Sequence, residues 1–239
     1  RQWFLDRGPG YLVGDITAPT LLVGGTVDTL FTLDENITNF AILRDAGVPA
    51  PRAGYATVRV NGELYGLYPT VEAVDNDVFL DHWFGGSKGN LYEGAYGSDL
   101  VAELIPSFDQ DNGDDVALSD MFAWVAALDA MTDPDAFPAE ADAIMDLDRV
   151  LALFAGEIYL GHWDGYAWTR NNFFVHRSQV PGARWTFLPW GIDQTLRDHM
   201  NPFGGDGRIE QMCVASQPCR EQLTAAFTDV VSRVDSLDL

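Results

Sequence analysis

The dipeptide Asn61-Gly62 is the feature that most constrains the fold of this chain. On either side of it, residues 55–60 and 64–71 alternate between apolar and polar side chains, which is typical of half-buried β-strands. Asn-Gly favours the positive backbone dihedral angles of a two-residue hairpin turn. The sequence therefore predicts a β-hairpin over residues 55–71.

Much of the remaining chain follows the 3.6-residue period of amphipathic helices. The helical candidates are residues 33–46, 77–84, 147–162 and 220–236. A further candidate begins at Ser119, which is predicted to cap it, and is predicted to bury Met121, Phe122, Val125 and Leu128. A further short strand is predicted at residues 90–92. Strands followed by a mainly helical part predict an α+β fold.

Two acidic residues and two carboxamides stand out in the second half of the chain. Asp164 precedes Asn171 and Asn172, and Asp193 closes an apolar run that contains Trp190. Carboxylate and amide oxygens are the ligands required by Mg²⁺ or Mn²⁺ when it carries a polyphosphate. The pattern predicts phosphoryl transfer, in which Asp164 orients the attacking hydroxyl while Asp193 and Asn171 or Asn172 hold the metal.

The spacing differs from that of an ordinary protein kinase. His162 precedes Asp164 in the histidine-x-aspartate order of a kinase catalytic loop, in which the asparagine follows the aspartate by about five positions. Here the asparagines follow seven and eight positions after Asp164, and Asp193 is followed by Gln-Thr instead of Phe-Gly. A standard kinase is therefore not expected, and His162 is predicted to orient the loop through a hydrogen bond of its ring.

Four motifs occur in order along residues 46–239. They are VRVNGELYGLYPTVE at residues 58–72, GNLYEG at residues 89–94, Asp164-Gly-Tyr with the later Asn-Asn pair, and PWGID at residues 189–193. This set resembles the atypical kinases related to the spore-coat protein CotH. The resemblance implies a divergent kinase-like fold that phosphorylates serine in secreted or surface proteins, with ATP and a divalent metal.

The resemblance also implies roles for individual residues. The catalytic aspartate of the family falls on Asp164 and its metal-binding aspartate falls on Asp193. Asn172 or Asn171 corresponds to the second metal ligand. Glu72 and Trp190 lie in motifs near the nucleotide.

The chain is poor in cations that bind phosphate. Lys88 is its only lysine, and position 93 is glutamate where many relatives carry lysine. Because phosphoryl transfer needs positive charge on the phosphates, Arg52, Arg59 or Arg170 is expected to supply it, although arginine is not equivalent to lysine. The alternative is a non-catalytic surface or structural protein in which the same acids hold a metal.

The first fifty residues carry a different pattern. A predicted buried strand at residues 16–31, followed by the helix at residues 33–46, is similar to the late part of an α/β-hydrolase, with Asp28 in the place of the triad aspartate. No nucleophile elbow is predicted, because residues 85–89 (GGSKG), which match Gly-x-Ser-x-Gly, are predicted to form a turn from a helix into a strand, so a hydrolase relict is the third hypothesis for function. The sequence predicts a hydrolase-like segment at residues 1–50 and a kinase-like domain at residues 51–239.

The charge of the chain limits its partners. A formal net charge of -22 argues against nucleic acid, which requires cations. A protein substrate that contains serine is expected. The acidity of the chain indicates either a basic partner or a surface whose charge only keeps the protein soluble. No apolar stretch approaches about 20 residues, so no membrane span is predicted.

The two cysteines, Cys213 and Cys219, have no histidine near them in sequence, which argues against a zinc site. A disulfide between them is predicted. Disulfides persist in oxidising environments, so the pair points to an extracellular or cell-surface protein.

Overall fold

The structure, a computed structural model, describes residues 33–198 and 200–235. The predicted strand at residues 16–31 and Asp28 lie outside these residues. The division of the chain at residue 50 stays a prediction.

The described residues form an α+β fold, as the sequence predicts. The helices are α1 (Leu33–Asp45), α2 (Asp77–Phe84), α3 (Ser119–Asp129), α4 (Phe137–Asp142), α5 (Leu147–Leu160), α6 (Tyr166–Thr169), α7 (Arg208–Ala215) and α8 (Gln217–Val234). The strands are β1 (Ala53–Val60), β2 (Glu63–Val71), β3 (Gly89–Gly94), β4 (Phe108–Asn112), β5 (Phe173–Ser178) and β6 (Thr186–Pro189). The predicted hairpin and helices are thus present, with ends that differ by a few residues.

The strands form two antiparallel sheets. Within residues 33–198 and 200–235, β1 and β2 pair only with each other, and both turn residues, Asn61 and Gly62, have positive φ angles of 52° and 88°. The other four strands form a sheet in the order β4-β3-β5-β6. Its central strand β3 pairs Gly94 with Phe173, so the end of β3 lies beside the start of β5, directly after the Asn171-Asn172 pair.

The four-stranded sheet lies between two apolar clusters, because successive side chains of a strand point to opposite faces. Phe173, Val175 and Phe187 belong to the larger cluster, which contains most of the buried helix residues. Their neighbours Phe174 and Leu188 belong to the smaller one, which α2 covers. The sheet therefore fixes the end of residues 161–172, where β5 begins, and the start of residues 190–197, where β6 ends.

Helix α1 is part of the main core. Leu43 is buried against α5, where a Cβ on Gly156 would lie 2.2 Å from the Leu43 side chain. Asn39 donates its side-chain N–H to the carbonyl of Ile192 at 2.7 Å. Although α1 falls within the predicted hydrolase-like segment, it packs on the loop that carries Asp193.

Two predictions for helix α3 are wrong. The prediction that Ser119 caps the helix is wrong, because the carboxylate of Asp115 accepts hydrogen bonds from the Ser119 hydroxyl at 2.7 Å and from the backbone N–H of Asp120 at 2.8 Å. The prediction that Phe122 is buried is also wrong, since it is 40% exposed and Trp124 occupies the buried face instead.

Cys213 and Cys219 form the predicted disulfide, which joins α7 to α8. Helix α8 begins earlier than predicted because the Ser216 hydroxyl accepts the backbone N–H of Cys219 at 3.3 Å, and a proline follows in the first turn. No helix within residues 33–198 and 200–235 is long and apolar enough to cross a membrane.

Candidate active site

The loop that carries Asp164 begins where α5 ends. Helix α5 ends at Leu160 because Gly161 adopts the left-handed conformation, with φ of 64°. A Cβ at Gly161 would also lie 2.7 Å from the backbone nitrogen of Arg197. The close approach brings the segment after Asp193 against the start of the Asp164 loop.

The carboxylate of Asp164 is buried and held by four side chains. Its Oδ1 accepts hydrogen bonds from Asn171 Nδ2 at 3.1 Å and from the Thr169 hydroxyl at 3.3 Å. Its Oδ2 accepts from Asn172 Nδ2 at 2.9 Å and from Gln194 Nε2 at 3.2 Å. The side chain is 7% exposed, so its orientation is fixed.

Asn172 lies between Asp164 and the segment of Asp193. Its Nδ2 also donates to the backbone carbonyl of Asp164 at 3.0 Å, which commits the donor side of the amide. Its Oδ1 faces Gly191, where a Cβ would lie 2.9 Å away. Because the donors are committed to Asp164, Oδ1 is the atom of Asn172 that can accept a cation.

The helical turn α6 explains the unusual spacing between Asp164 and the asparagines. Its four residues are inserted between them, and Arg170 and Asn172 then adopt positive φ angles of 55° and 50°. These reversals return both carboxamides to Asp164. The longer loop therefore brings the predicted acid and amides together.

Asp193 lies on the segment that follows β6. Before Asp193, the backbone N–H of Trp190 donates to the carbonyl of Asn172 at 2.9 Å. After Asp193, the backbone N–H of Leu196 donates to the carbonyl of Leu160 at 2.8 Å. Asp193 itself is half-buried. The segment carrying Asp193 is thus bonded on both sides to the loop carrying Asp164.

His162 joins the same two segments. It is buried, and its Nδ1 lies 3.1 Å from the carbonyl oxygen of Gln194. Burial lowers the pKa of His162, so the ring is neutral at pH 7 and its Nδ1–H donates to that carbonyl. The predicted ring hydrogen bond is present, and its acceptor is the residue after Asp193.

Two buried acids that the sequence analysis missed hold α6. Glu157 Oε2 accepts the backbone N–H of Ala167 at 3.3 Å, and Asp99 Oδ1 accepts the phenolic hydroxyl of Tyr166 at 2.8 Å. Burial raises the pKa of both acids, that of Glu157 to about 8. A third buried acid, Glu210, whose pKa burial raises to about 7, accepts a hydrogen bond from the backbone of the chain just before α7.

A signal for Glu157 was present in the sequence. It occupies a position on α5 three residues after Phe154, within an otherwise apolar stretch that packs in the core. An acid on the buried face of a helix is a candidate for a functional or positioning role. No comparable signal marked Asp99, which lies in an irregular segment.

Glu72 lies apart from the hydrogen-bonded set around Asp164. It pairs with Arg52, whose Nε lies 3.1 Å from both carboxylate oxygens. Burial acts to raise the pKa of Glu72, but the hydrogen bonds from Arg52 outweigh it, and the pKa is lowered overall. Arg44, His82 and the Arg52–Glu72 pair line a cavity of about 160 Å³ beside α2.

The other two candidate cations have different surroundings. Arg59 donates to the carbonyl of Gly62 at 3.1 Å and is therefore engaged at the tip of the hairpin. Arg170 follows α6 and lines a cavity of about 700 Å³ together with Asp99, Asp206 and Arg208. Its Nε is buried without a hydrogen-bond partner in the part of the chain that the structure describes.

Trp190 and Glu93 belong to the face of the sheet that α2 covers. The Trp190 ring lies edge-on to Phe174, with centroids 5.8 Å apart, and Phe174 pairs with Glu93 across the strands. Burial, followed by repulsion from Asp111 and Asp109, raises the pKa of Glu93. This face therefore carries negative charge.

The oxygen donors fit a divalent metal that is bound together with a phosphate. Within residues 33–198 and 200–235, no three His, Cys, Asp or Glu side chains gather closely enough to hold a metal ion. Asp193 and the Asn172 amide offer hard oxygen atoms, and Mg²⁺ commonly binds through one or two such ligands plus phosphate oxygens and water. By their chemistry, these oxygen atoms are of the kind that Mg²⁺ or Mn²⁺ binds.

The fold and these two joined segments define an α+β protein with paired acid- and amide-bearing loops. A family model described as "CotH kinase protein" matches residues 36–230. The chain therefore belongs to the CotH family, which confirms the resemblance of its motifs.

Two curated relatives are similar to the chain. The inner spore coat protein H of Bacillus subtilis (strain 168) is 28% identical over 184 residues, which cover 69% of this chain and 46% of the relative. Invasin CotH3 of Rhizopus delemar is 23% identical over 169 residues, which cover 65% of this chain and 28% of the relative. The chain thus spans less than half the length of these curated relatives.

Proposed function

We propose that this protein transfers the γ-phosphoryl group of ATP to a serine hydroxyl of a protein, with Mg²⁺ or Mn²⁺. The observation that carries the proposal is the carboxylate of Asp164, which Asn171, Asn172 and Gln194 hold beside the segment of Asp193. An oriented carboxylate beside two metal-binding oxygens is the arrangement that phosphoryl transfer requires. Membership of the CotH family supports the same reaction.

Asp164 would orient the hydroxyl of the substrate. The Thr169 hydroxyl already donates to Asp164 Oδ1, at 3.3 Å, which is long for a hydrogen bond between oxygens. A serine hydroxyl of the substrate would take its place as donor and deliver its proton to Asp164 as the phosphoryl group transfers. His162 would act through Gln194 by holding the two segments together.

Asp193 and Asn172 would hold the metal, with Asn171 fixing Asp164 from the other side. The bound metal neutralises charge on the phosphates of ATP. Trp190 would border the nucleotide, because its backbone bonds to Asn172 and its ring covers Phe174.

Arg52 is the cation that we assign to the phosphates. Kinases require a basic residue that is paired with a glutamate, and Arg52 pairs with Glu72 in this way. Arg170, which adjoins Asn171, instead lines the cavity beside α7. Arg59 is bonded to the hairpin turn and is assigned no role.

The substrate would be a serine-containing protein at a cell surface or outside the cell. The net charge of -22 favours a basic segment around the serine. The relatives are named as a spore coat protein and as an invasin, and the disulfide suits an oxidising location.

The experiment that tests the proposal compares Asp193→Ala with Asp198→Ala, a nearby exposed acid, as the matched control. We expect the wild type and Asp198→Ala to phosphorylate a serine-rich basic peptide with ATP and Mn²⁺, and Asp193→Ala to lose the activity while its thermal unfolding midpoint changes little. Equal activity in the two variants would remove Asp193 from the site.

The second candidate is a non-catalytic protein that binds metal at the same acids. The negative face around Glu93 favours it, because negative charge weakens the attraction for a triphosphate. Thermal unfolding with Mn²⁺ alone and with Mn²⁺ plus ATP separates the candidates. A shift by Mn²⁺ that ATP does not increase supports the non-catalytic protein.

A further inference from the structure

The turn α6 determines where the carboxamides meet Asp164. It connects Gly165 to Arg170, and each end of it carries part of the candidate active site. A displacement of α6 by a fraction of an ångström would change the hydrogen bonds from Asn171 and Asn172 to Asp164. Whatever fixes α6 therefore fixes the site.

Glu157 on α5 lies directly beneath this turn. Its carboxyl group accepts the backbone N–H groups of Tyr166 and Ala167, the first two residues of α6. Its Oε1 is so close to Gly165 that a Cβ there would lie 2.2 Å away. The side chain thus contacts the loop immediately after Asp164.

Among the residues that the structure describes, no cation forms an ion pair with Glu157. It is 2% exposed, and no ion pair in residues 33–198 and 200–235 includes it. Burying an acid without a charged partner costs free energy, and an apolar side chain at this position of α5 would pack with less cost. Stability alone therefore does not explain a glutamate here.

We propose that Glu157 is a positioning residue of the phosphoryl-transfer site, which holds the first turn of α6 and thereby the distance from Asp164 to the two asparagines. The inference rests on the proposed function and deepens it. The hydrogen bonds of the Glu157 carboxyl group go to α6, so its loss would disturb the orientation of the hydroxyl more than the binding of the metal and nucleotide.

Three variants test this role. Glu157→Leu removes the acceptor, Glu157→Gln keeps an acceptor oxygen of the same reach, and Leu151→Ala destabilises the same helix at a buried position six residues before Glu157. The measurements are kcat and KM for ATP with Mn²⁺, the thermal unfolding midpoint, and hydrogen–deuterium exchange of residues 165–170.

We expect Glu157→Leu to lower kcat on the order of 10²-fold with KM for ATP changed by less than about threefold, since misplaced groups lose orientation before binding. Glu157→Gln should recover most of kcat. Leu151→Ala should lower the unfolding midpoint but keep kcat. Exchange at residues 165–170 should accelerate in Glu157→Leu alone.

Other outcomes overturn the proposal in distinguishable ways. Unchanged exchange in Glu157→Leu would show that Glu157 does not hold α6, whether or not the protein transfers phosphate. Accelerated exchange with unchanged kcat would mean that Glu157 has a structural role only. Equal losses of kcat in Glu157→Leu and Leu151→Ala would lead to the same conclusion. Absence of transfer in the wild type would remove the proposed function, and the positioning role in catalysis with it.

Discussion

The two loops around Asp164 and the hairpin β1–β2 are held in opposite ways. The loops bury Asp164 and His162, are bonded to each other through His162 and Gln194, and are held at α6 by Glu157. In the part of the chain that the structure describes, the two hairpin strands pair only with each other, and side chains such as Leu64, at 63% exposure, face outwards. Regions with few buried contacts open at low free-energy cost, whereas buried networks keep one geometry.

The residue that would orient the substrate hydroxyl and the residue that would bind the phosphates therefore lie in different regions of the molecule. The acid that would orient the hydroxyl belongs to the rigid part, whereas Arg52, which we assign to the phosphates, lies at the base of the exposed hairpin. Substitutions in the loops should therefore have large effects on the reaction, and substitutions on the hairpin should have small ones.

The largest effect is expected for Asp164→Asn. Loss of a group that accepts a proton in the transition state typically lowers the rate by about 10²–10⁴-fold. The variant should lower kcat for peptide phosphorylation by this amount, whereas Asp148→Asn, an exposed acid on α5, should leave it unchanged. Comparable rates for the two variants would contradict the role of Asp164.

The next effect concerns stability and tests whether α1 belongs to the core. Leu43→Ala should lower the free energy of unfolding by about 2–5 kcal/mol, because it leaves a cavity against Gly156. Leu64→Ala on the hairpin should change it by less than about 0.5 kcal/mol. Chemical denaturation measures both, and a small effect of Leu43→Ala would mean that α1 is not integral to the core.

A smaller effect is expected on the hairpin. Arg52→Ala should weaken the apparent affinity for ATP on the order of tenfold, through loss of charge-assisted hydrogen bonds to phosphate. Arg59→Ala is the matched control and should leave the affinity unchanged. Titration of ATP in the presence of Mn²⁺ checks this, and equal affinities in the two variants would assign the phosphate contact elsewhere.

The last effect is a pH dependence of stability. Burial raises the pKa of Glu157 from 4.5 to about 8 in the folded protein, so between these values the unfolded chain has lost a proton that the folded protein keeps. Its contribution to the free energy of unfolding therefore falls as the pH rises through this window and is constant above it. Glu157→Gln should remove this part of the slope in urea denaturation, and an unchanged slope would contradict the raised pKa.

His176 gives the opposite slope. Burial lowers its pKa from 6.5 to about 4, so its contribution to stability is complete above pH 6.5 and is lost as the pH falls towards 4. The two slopes are separable because only the first one disappears in Glu157→Gln.

Local signals in the sequence were sufficient for much of the fold. Asn61-Gly62 fixed the hairpin, and the 3.6-residue period located α1, α2 and α5 within two residues. The spacing of acids and amides also selected Asp164, Asn171 and Asn172, which the structure brings together.

What could not be predicted depends on contacts that are distant in sequence. Asp99 meets Tyr166 across 67 positions, and Gln194 meets Asp164 across 30. Whether an acid such as Glu157 is buried, and beneath which loop, depends on how the helices pack. Capping by Asp115 was missed for a local reason, because a residue outside the helix replaced the expected cap.

The proposed metal site is tested most directly by a crystal structure with Mn²⁺ and a non-hydrolysable ATP analogue, in which anomalous scattering locates the metal. We expect a Mn²⁺ peak about 2.0–2.2 Å from a carboxylate oxygen of Asp193 and from Asn172 Oδ1, with phosphate oxygens completing the coordination shell of the metal. A peak among Glu93, Asp109 and Asp111, with no metal at Asp193, would contradict it.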